Sequence, residues 1–184
     1  MSQNQRRRNF LLFTFSLLLI GYFFRATLFS MKNQIDYAGS EQFEKMKELV
    51  GSWEGKGGTK SSANDEKVYV EYKLTSGGSA IVETLNPGTP MEMMTVYYDQ
   101  SDGSFALTHY CSLHNHPKMN LESWNKDELN FELEDDSDID RNNEVHMHAL
   151  NIIFENKDKI TQVWSLYEKG KLKSKHTFNL SRKK

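Results

Sequence analysis

The sequence contains one cysteine, Cys111, and three prolines among 184 residues. A single cysteine excludes an intrachain disulfide, so packing alone must stabilise the core. The net charge is −2, and beyond the N-terminal region lysine and arginine form no block except the last three residues, which are ordinary cations at a chain end. Nucleic-acid binding is therefore not expected, because it requires a basic surface. No Gly-x-Ser-x-Gly segment occurs, so the usual signature of a serine hydrolase is absent.

The N-terminal region has the pattern of an export signal. Arg6, Arg7 and Arg8 precede an apolar run over residues 10–24. These 15 residues are fewer than a full membrane crossing needs, and no Ala-x-Ala cleavage site follows. We predict a signal peptide or an uncleaved membrane anchor over residues 1–31, a linker over residues 32–40 and a domain over residues 41–184. We expect the arginines to remain cytoplasmic and the domain to be extracytoplasmic, either anchored in the inner membrane or periplasmic or secreted, by the general or the twin-arginine route.

From residue 53 to residue 180, apolar and polar side chains alternate in short runs that end at Gly, Asn or Asp turns. A period of two places one set of side chains on each face of a strand. About ten such strands with no room for crossover helices must pair antiparallel, and closure into a barrel removes exposed edges. We therefore predict an all-β, antiparallel up-and-down β-barrel of about ten strands, preceded by a short amphipathic helix over residues 41–50.

The two ends of the predicted barrel show a family resemblance. Gly51, Ser52 and Trp53 directly follow the predicted helix, and Arg182 follows the last strand. This arrangement resembles the calycins, which include the lipocalins and fatty-acid-binding proteins. The resemblance implies a structural role for Gly51, Trp53 and Arg182, in which Trp53 packs against Arg182 and closes one end of the barrel.

Several longer segments resemble a bacterial family of exported calycin-like domains of unknown function. That family has no assigned activity, so the resemblance supports the fold and leaves the function open. The matching segments cover residues 83–85, 87–93, 95–98, 108–111 and 115–119.

The segment over residues 51–57 also resembles the nitrobindins, which are haem-binding barrels of this size. That resemblance implies haem as cofactor and His176 on the last strand as the iron ligand. The chain departs from the nitrobindin pattern at Gly58, Thr59 and Lys60, where a Tyr-Pro-Thr segment is expected.

Strand parity indicates which polar side chains face the barrel interior. The Asp102-Gly103 turn predicts a hairpin, and the strand after it places His109 and Cys111 on the apolar face. The same reasoning predicts that three further histidines face inward: His146, His148 and His176. Such residues suit a ligand pocket or a zinc, copper or iron site. For any single histidine, the simpler interpretation, which we prefer, is a core residue hydrogen-bonded to Tyr or Thr.

Met91, Met93 and Met94 cluster in sequence with Tyr97 and Tyr98, as core filling or as the wall of a pocket for an apolar ligand. We predict an exported or membrane-anchored barrel that binds a small apolar molecule and needs no cofactor. The alternatives are a haem or transition-metal barrel and an enzyme with His109 as general base. The predicted ligand-binding residues are His109, Cys111, Tyr97, Met93, His146 and His148. The oligomeric state stays open.

Overall fold

The computed structural model describes residues 37–59 and 66–184, which contain one α-helix and ten β-strands. The helix ends before Val50, the last residue of its predicted range, because a turn intervenes before the first strand. In chain order the elements are α1 (Glu41–Lys47), β1 (Gly51–Thr59), β2 (Glu66–Thr75), β3 (Ala80–Leu85), β4 (Met93–Asp99), β5 (Phe105–Tyr110), β6 (Lys118–Asn125), β7 (Glu128–Leu133), β8 (His146–Asn156), β9 (Lys159–Glu168) and β10 (Lys171–Arg182).

The strands form a closed barrel in which each strand pairs antiparallel with its neighbours in sequence. β1 pairs with β10, and the register of that pair sets Trp53 opposite Arg182. Closure leaves no unpaired edge along the described sheet. The predicted all-β, antiparallel barrel is therefore confirmed for the described residues.

Alternation along the strands builds the core. On β2 the buried residues are Val68, Val70 and Tyr72, and the residues between them are more exposed. The turn before β5 lies at Gly103, whose φ of 86° favours glycine. The Asp102-Gly103 hairpin therefore starts β5 in the predicted register, with Asp99 of β4 opposite Phe105.

Helix α1 covers one end of the barrel, which we call the closed end. Ser40 caps the helix by accepting a hydrogen bond from the Phe43 amide at 3.0 Å, and its hydroxyl donates to Asp99 of β4. Phe43, Met46 and Leu49 are fully or almost fully buried in the core cluster. The short helix is thus attached to the barrel through both a cap and an apolar face.

Trp53 lies at the closed end and is 1% exposed. Its Nε1 donates to the carbonyl of Leu49 at 2.7 Å, and the Arg182 guanidinium lies 4.3 Å from its ring centroid. Arg182 also donates to the carbonyls of Glu48 and Val50. The Trp53–Arg182 contact implied by the calycin resemblance is therefore present.

The predicted export segment over residues 1–31 lies outside the described residues. Across residues 37–59 and 66–184, no helix has both the length and the apolar character needed to cross a membrane.

Candidate functional site

The barrel end opposite Trp53, which we call the open end, holds a cavity of about 410 Å³. Wall residues come from the first strands of the barrel and also from its last strands, β9 and β10. They lie together because β1 pairs with β10 and closes the barrel. Most of the wall consists of carbon and sulfur surface. The apolar side chains of the wall are Val68, Leu85, Met91, Met93, Leu113, Met147, Trp164, Leu166 and Phe178.

His109 lies in this wall and is 3% exposed. Its Nδ1 lies 2.9 Å from the Thr95 hydroxyl, and its ring centroid lies 4.5 Å from that of Trp164. Nε2 has no hydrogen-bond partner in the described part of the protein, so it is the open polar atom of the ring. Burial lowers the pKa of His109 to about 4, which keeps the imidazole neutral at pH 7.

A buried polar network lies next to the cavity wall. Glu83 is 1% exposed and accepts hydrogen bonds from the Tyr97 hydroxyl at 2.7 Å and from Gln162 Nε2 at 2.9 Å. Gln162 also donates to Tyr72, and it accepts from Nε1 of Trp164 at 3.3 Å. Burial raises the pKa of Glu83, and the donors around it oppose that rise. Trp164 therefore connects the network to the cavity. Its hydrogen bond to Gln162 holds the indole ring that packs against the His109 ring.

Three of the predicted site residues lie on the inward face that strand parity assigns to them: His109, Cys111 and His176 line the cavity. Met93, which the methionine cluster suggested, also lines it. Burial raises the pKa of the Cys111 thiol, so it is protonated at pH 7, and Nε2 of His176 lies 3.2 Å from the Ser174 hydroxyl. Their predicted roles in binding stay predictions.

Tyr97 faces inward but is not part of the cavity wall. Its side chain is fully buried, and its hydroxyl donates to Glu83. It belongs to the polar network next to the cavity, and its predicted role in ligand binding stays a prediction.

The parity predicted for His146 and His148 differs from the structure. A β-bulge shifts the register between Met147 and Ala149, so that Met147 lines the cavity in their place. An extra residue in one strand reverses the alternation beyond it. His146 is fully buried, and its Nε2 lies 3.2 Å from Nδ1 of His148, whose ring stacks on Tyr167 at 4.0 Å. Neither histidine lines the cavity.

Two other depressions, of about 470 and 480 Å³, lie on the outer face of the sheet. Asn130, Asn151 and Lys175 line one of them, and Glu132 and Arg141 line the other, along with further polar side chains. Neither offers the apolar wall that a small-molecule site usually has. The open-end cavity is therefore the candidate site.

Sequence reasoning missed Glu83, Gln162 and Trp164. The signal was present, because Glu83 lies at an inward position between Ile81 and Leu85 on β3. A carboxylate in an otherwise apolar inward row marks either a buried network or a site. What the pattern does not indicate is its partner, since β3 and β9 meet only across the barrel interior.

The described residues hold no group of three His, Cys, Asp or Glu side chains placed to bind a metal ion. His176 is the residue that the nitrobindin resemblance assigns to haem iron, and it lies in the cavity wall with Nε2 near Ser174. The arrangement presents neutral hydrogen-bonding groups within an apolar wall, which suits the binding of a small molecule.

No protein-family model matches the chain, and no curated protein matches it. Among solved structures, the chain is similar to a protein of unknown function from the DUF3598 family of Nostoc punctiforme, at 13% sequence identity and a TM-score of 0.41. The similarity covers 75% of this chain and 48% of that one, so this chain spans about half the length of that protein. Because the identity and the TM-score are this low, the fold is assigned from the strand pairing of the chain itself. Membership of the calycin superfamily stays a prediction.

Proposed function

We propose that the barrel binds a small, mainly apolar molecule in its open-end cavity, with His109 as the principal polar contact. One observation carries the proposal: an apolar cavity of about 410 Å³ contains an imidazole whose Nε2 has no protein partner within the described residues. Ligand sites are typically concave and apolar, with a few polar groups that orient the guest. Nε2 supplies such a group.

The methionines support an adaptable site. Three methionines contribute to the wall: Met91 from the loop before β4, Met93 from β4 and Met147 from β8. Unbranched thioether side chains adjust to ligands of different shape at little cost. A cavity lined by methionines accepts apolar ligands of several shapes, and the hydrogen bond to His109 sets the orientation of the ligand.

The chemistry of the site favours binding over base catalysis. A general base works best when its pKa lies near the working pH, and the pKa of His109 is lowered to about 4. The neighbouring Cys111 is also unsuited to nucleophilic attack, because burial raises the pKa of its thiol and the thiolate is the reactive form.

The proposal includes a location in the cell envelope. Its support is the sequence pattern of Arg6, Arg7 and Arg8 before the apolar run over residues 10–24. The ligand would then be met outside the cytoplasm, by a soluble exported domain or by one tethered to the membrane.

Titration of the full-length protein with the neutral fluorescent probe N-phenyl-1-naphthylamine tests the proposal. Met93 and Met94 are neighbours on β4 that differ in placement: Met93 lines the cavity, and Met94 is 38% exposed and is not part of the wall. We expect wild type and Met94→Trp to bind the probe at micromolar concentrations. Met93→Trp should fill the cavity and weaken binding at least about tenfold, which corresponds to about 1.4 kcal/mol.

Circular dichroism and melting temperature establish that each variant is folded. Equal affinity in all three proteins would show that the probe binds elsewhere. Absence of binding to the folded wild-type protein at micromolar probe would contradict the proposed function.

A further inference from the structure

The described wall of the open-end cavity contains no lysine or arginine. Its ionisable groups are Glu66, His109, Cys111 and His176. Glu66 is exposed at the rim. Within residues 37–59 and 66–184, the wall therefore offers no cationic side chain for an anionic ligand.

Burial moves the other three groups toward their neutral forms. It lowers the pKa of His109 to about 4 and also lowers the pKa of His176. It raises the pKa of the Cys111 thiol. Each shift has desolvation as its largest cause, so the interior disfavours charge on its own side chains. A charged group on a ligand would meet the same penalty.

Three described cations of the barrel lie away from the cavity. Arg182 covers Trp53 at the closed end, and Lys45 lies over the Phe154 ring, 4.4 Å from its centroid. Lys175 on β10 contributes to an outer depression. An anion in the open-end cavity would therefore be desolvated without a cationic partner from the described part of the barrel, which is strongly unfavourable.

We infer that the cavity selects uncharged ligands and rejects anionic ones. The ligand class is a neutral apolar molecule with a hydroxyl, carbonyl or amide group that meets Nε2 of His109, and carboxylate lipids are excluded. The inference rests on the proposed function and narrows its ligand. It follows from the composition of the wall, in which hydrogen-bonding groups are present and positive charge is absent among the described residues.

A matched pair of probes tests the inference on the full-length protein. The compound 8-anilino-1-naphthalenesulfonate has the ring system of N-phenyl-1-naphthylamine with a sulfonate added. Its ability to displace the neutral probe is measured, because displacement reports on the cavity and ignores sulfonate bound at surface cations. We expect the anion to bind the cavity at least about tenfold more weakly than the neutral probe.

Two arginine variants locate the origin of the discrimination. Met91 is 56% exposed and lines the cavity, whereas Met94 is exposed and lies outside the wall. Both Met91→Arg and Met94→Arg add one positive charge, so they change net charge equally. We expect Met91→Arg to improve displacement by the anion several-fold and Met94→Arg to leave it close to wild type.

Equal affinity of wild type for the two probes would overturn the inference while leaving the proposed function intact. An equal gain in both arginine variants would also overturn it, because net charge and not the cavity wall would then set the preference. Failure of the neutral probe to bind at all would instead overturn the proposed function.

Discussion

Replacing Trp53 with alanine should lower the free energy of unfolding by about 3–5 kcal/mol, the usual cost of deleting a buried aromatic side chain. Trp53 is 1% exposed, and its Nε1 donates to the Leu49 carbonyl at 2.7 Å. The variant therefore leaves a hole at the closed end and removes the hydrogen bond between β1 and the segment after α1. Urea unfolding of wild type and variant measures the difference.

Trp124 is the matched control, because it is 39% exposed on β6. Trp124→Ala should change the free energy of unfolding by less than about 0.5 kcal/mol, as is usual for exposed positions. Arg182→Ala should cost less than Trp53→Ala, since the arginine side chain keeps 27% exposure and contributes mainly carbonyl contacts and about 0.5–2 kcal/mol of ring contact. An unchanged melting temperature in Trp53→Ala would contradict the account of the closed end.

Stability should fall by about 3 kcal/mol on acidification because of His109 alone. Its pKa is 6.5 in the unfolded chain and about 4 in the folded barrel. Between these values the unfolded state binds more protons, so the free energy of unfolding decreases as the pH falls through this window. Below pH 4 both states are protonated and the loss is complete. Each pKa unit contributes about 1.4 kcal/mol, which gives the expected total.

Unfolding curves of wild type and His109→Phe between pH 4 and pH 7 test this prediction. Phenylalanine preserves a ring against Trp164 and cannot titrate. Glu83 and His176 also titrate with shifted pKa values, and burial of Glu83 acts in the opposite direction, but both groups are present in the two proteins. The difference between the curves therefore isolates His109. As the pH falls from 7 to 4, the free energy of unfolding should decrease by about 3 kcal/mol more in wild type than in the variant. Parallel curves would show that His109 titrates normally.

The fold was predictable wherever a local signal set the register. The Asp102-Gly103 turn determines where β5 starts, and the inward row that ends with His109 and Cys111 follows from it. Closure was predictable in outline, because strands without crossover helices must pair with their neighbours. The contact of Trp53 with Arg182 was predicted from the calycin resemblance. In the structure, the pairing of β1 with β10 brings the two residues together.

The start of β8 was not predictable from alternation. Apolar residues occupy both parities there, and the register shift between Met147 and Ala149 has no signal in the sequence. Because of this shift, Met147 lies in the cavity wall, and the flanking His146 and His148 do not. A rule of period two fails at a bulge, and bulges depend on how two strands fit together rather than on either strand alone.

The polar network was unpredictable for a different reason. Glu83 on β3 and Gln162 on β9 are distant in sequence and in strand order, and they meet across the barrel interior. Neighbour pairing indicates which residues share a face, but it does not indicate which side chains reach one another through the core. Identifying the partners of Glu83 required the closed barrel.

The reactivity of Cys111 is the most direct test that the open end is a ligand cavity. Cys111 is the one cysteine of the chain, and it lies in the cavity wall. The measurement is the rate at which a maleimide labels the full-length protein, followed by mass spectrometry, with and without saturating N-phenyl-1-naphthylamine. The Cys111→Ser/Met94→Cys double variant moves the thiol to the exposed outer position and serves as the control.

We expect the bound probe to slow labelling of Cys111 at least about fivefold, because a ligand in the cavity shields its wall from reagent. Labelling of the control thiol should proceed at the same rate with and without the probe. An unchanged rate at Cys111 under saturating probe, with the protein folded, would contradict the account.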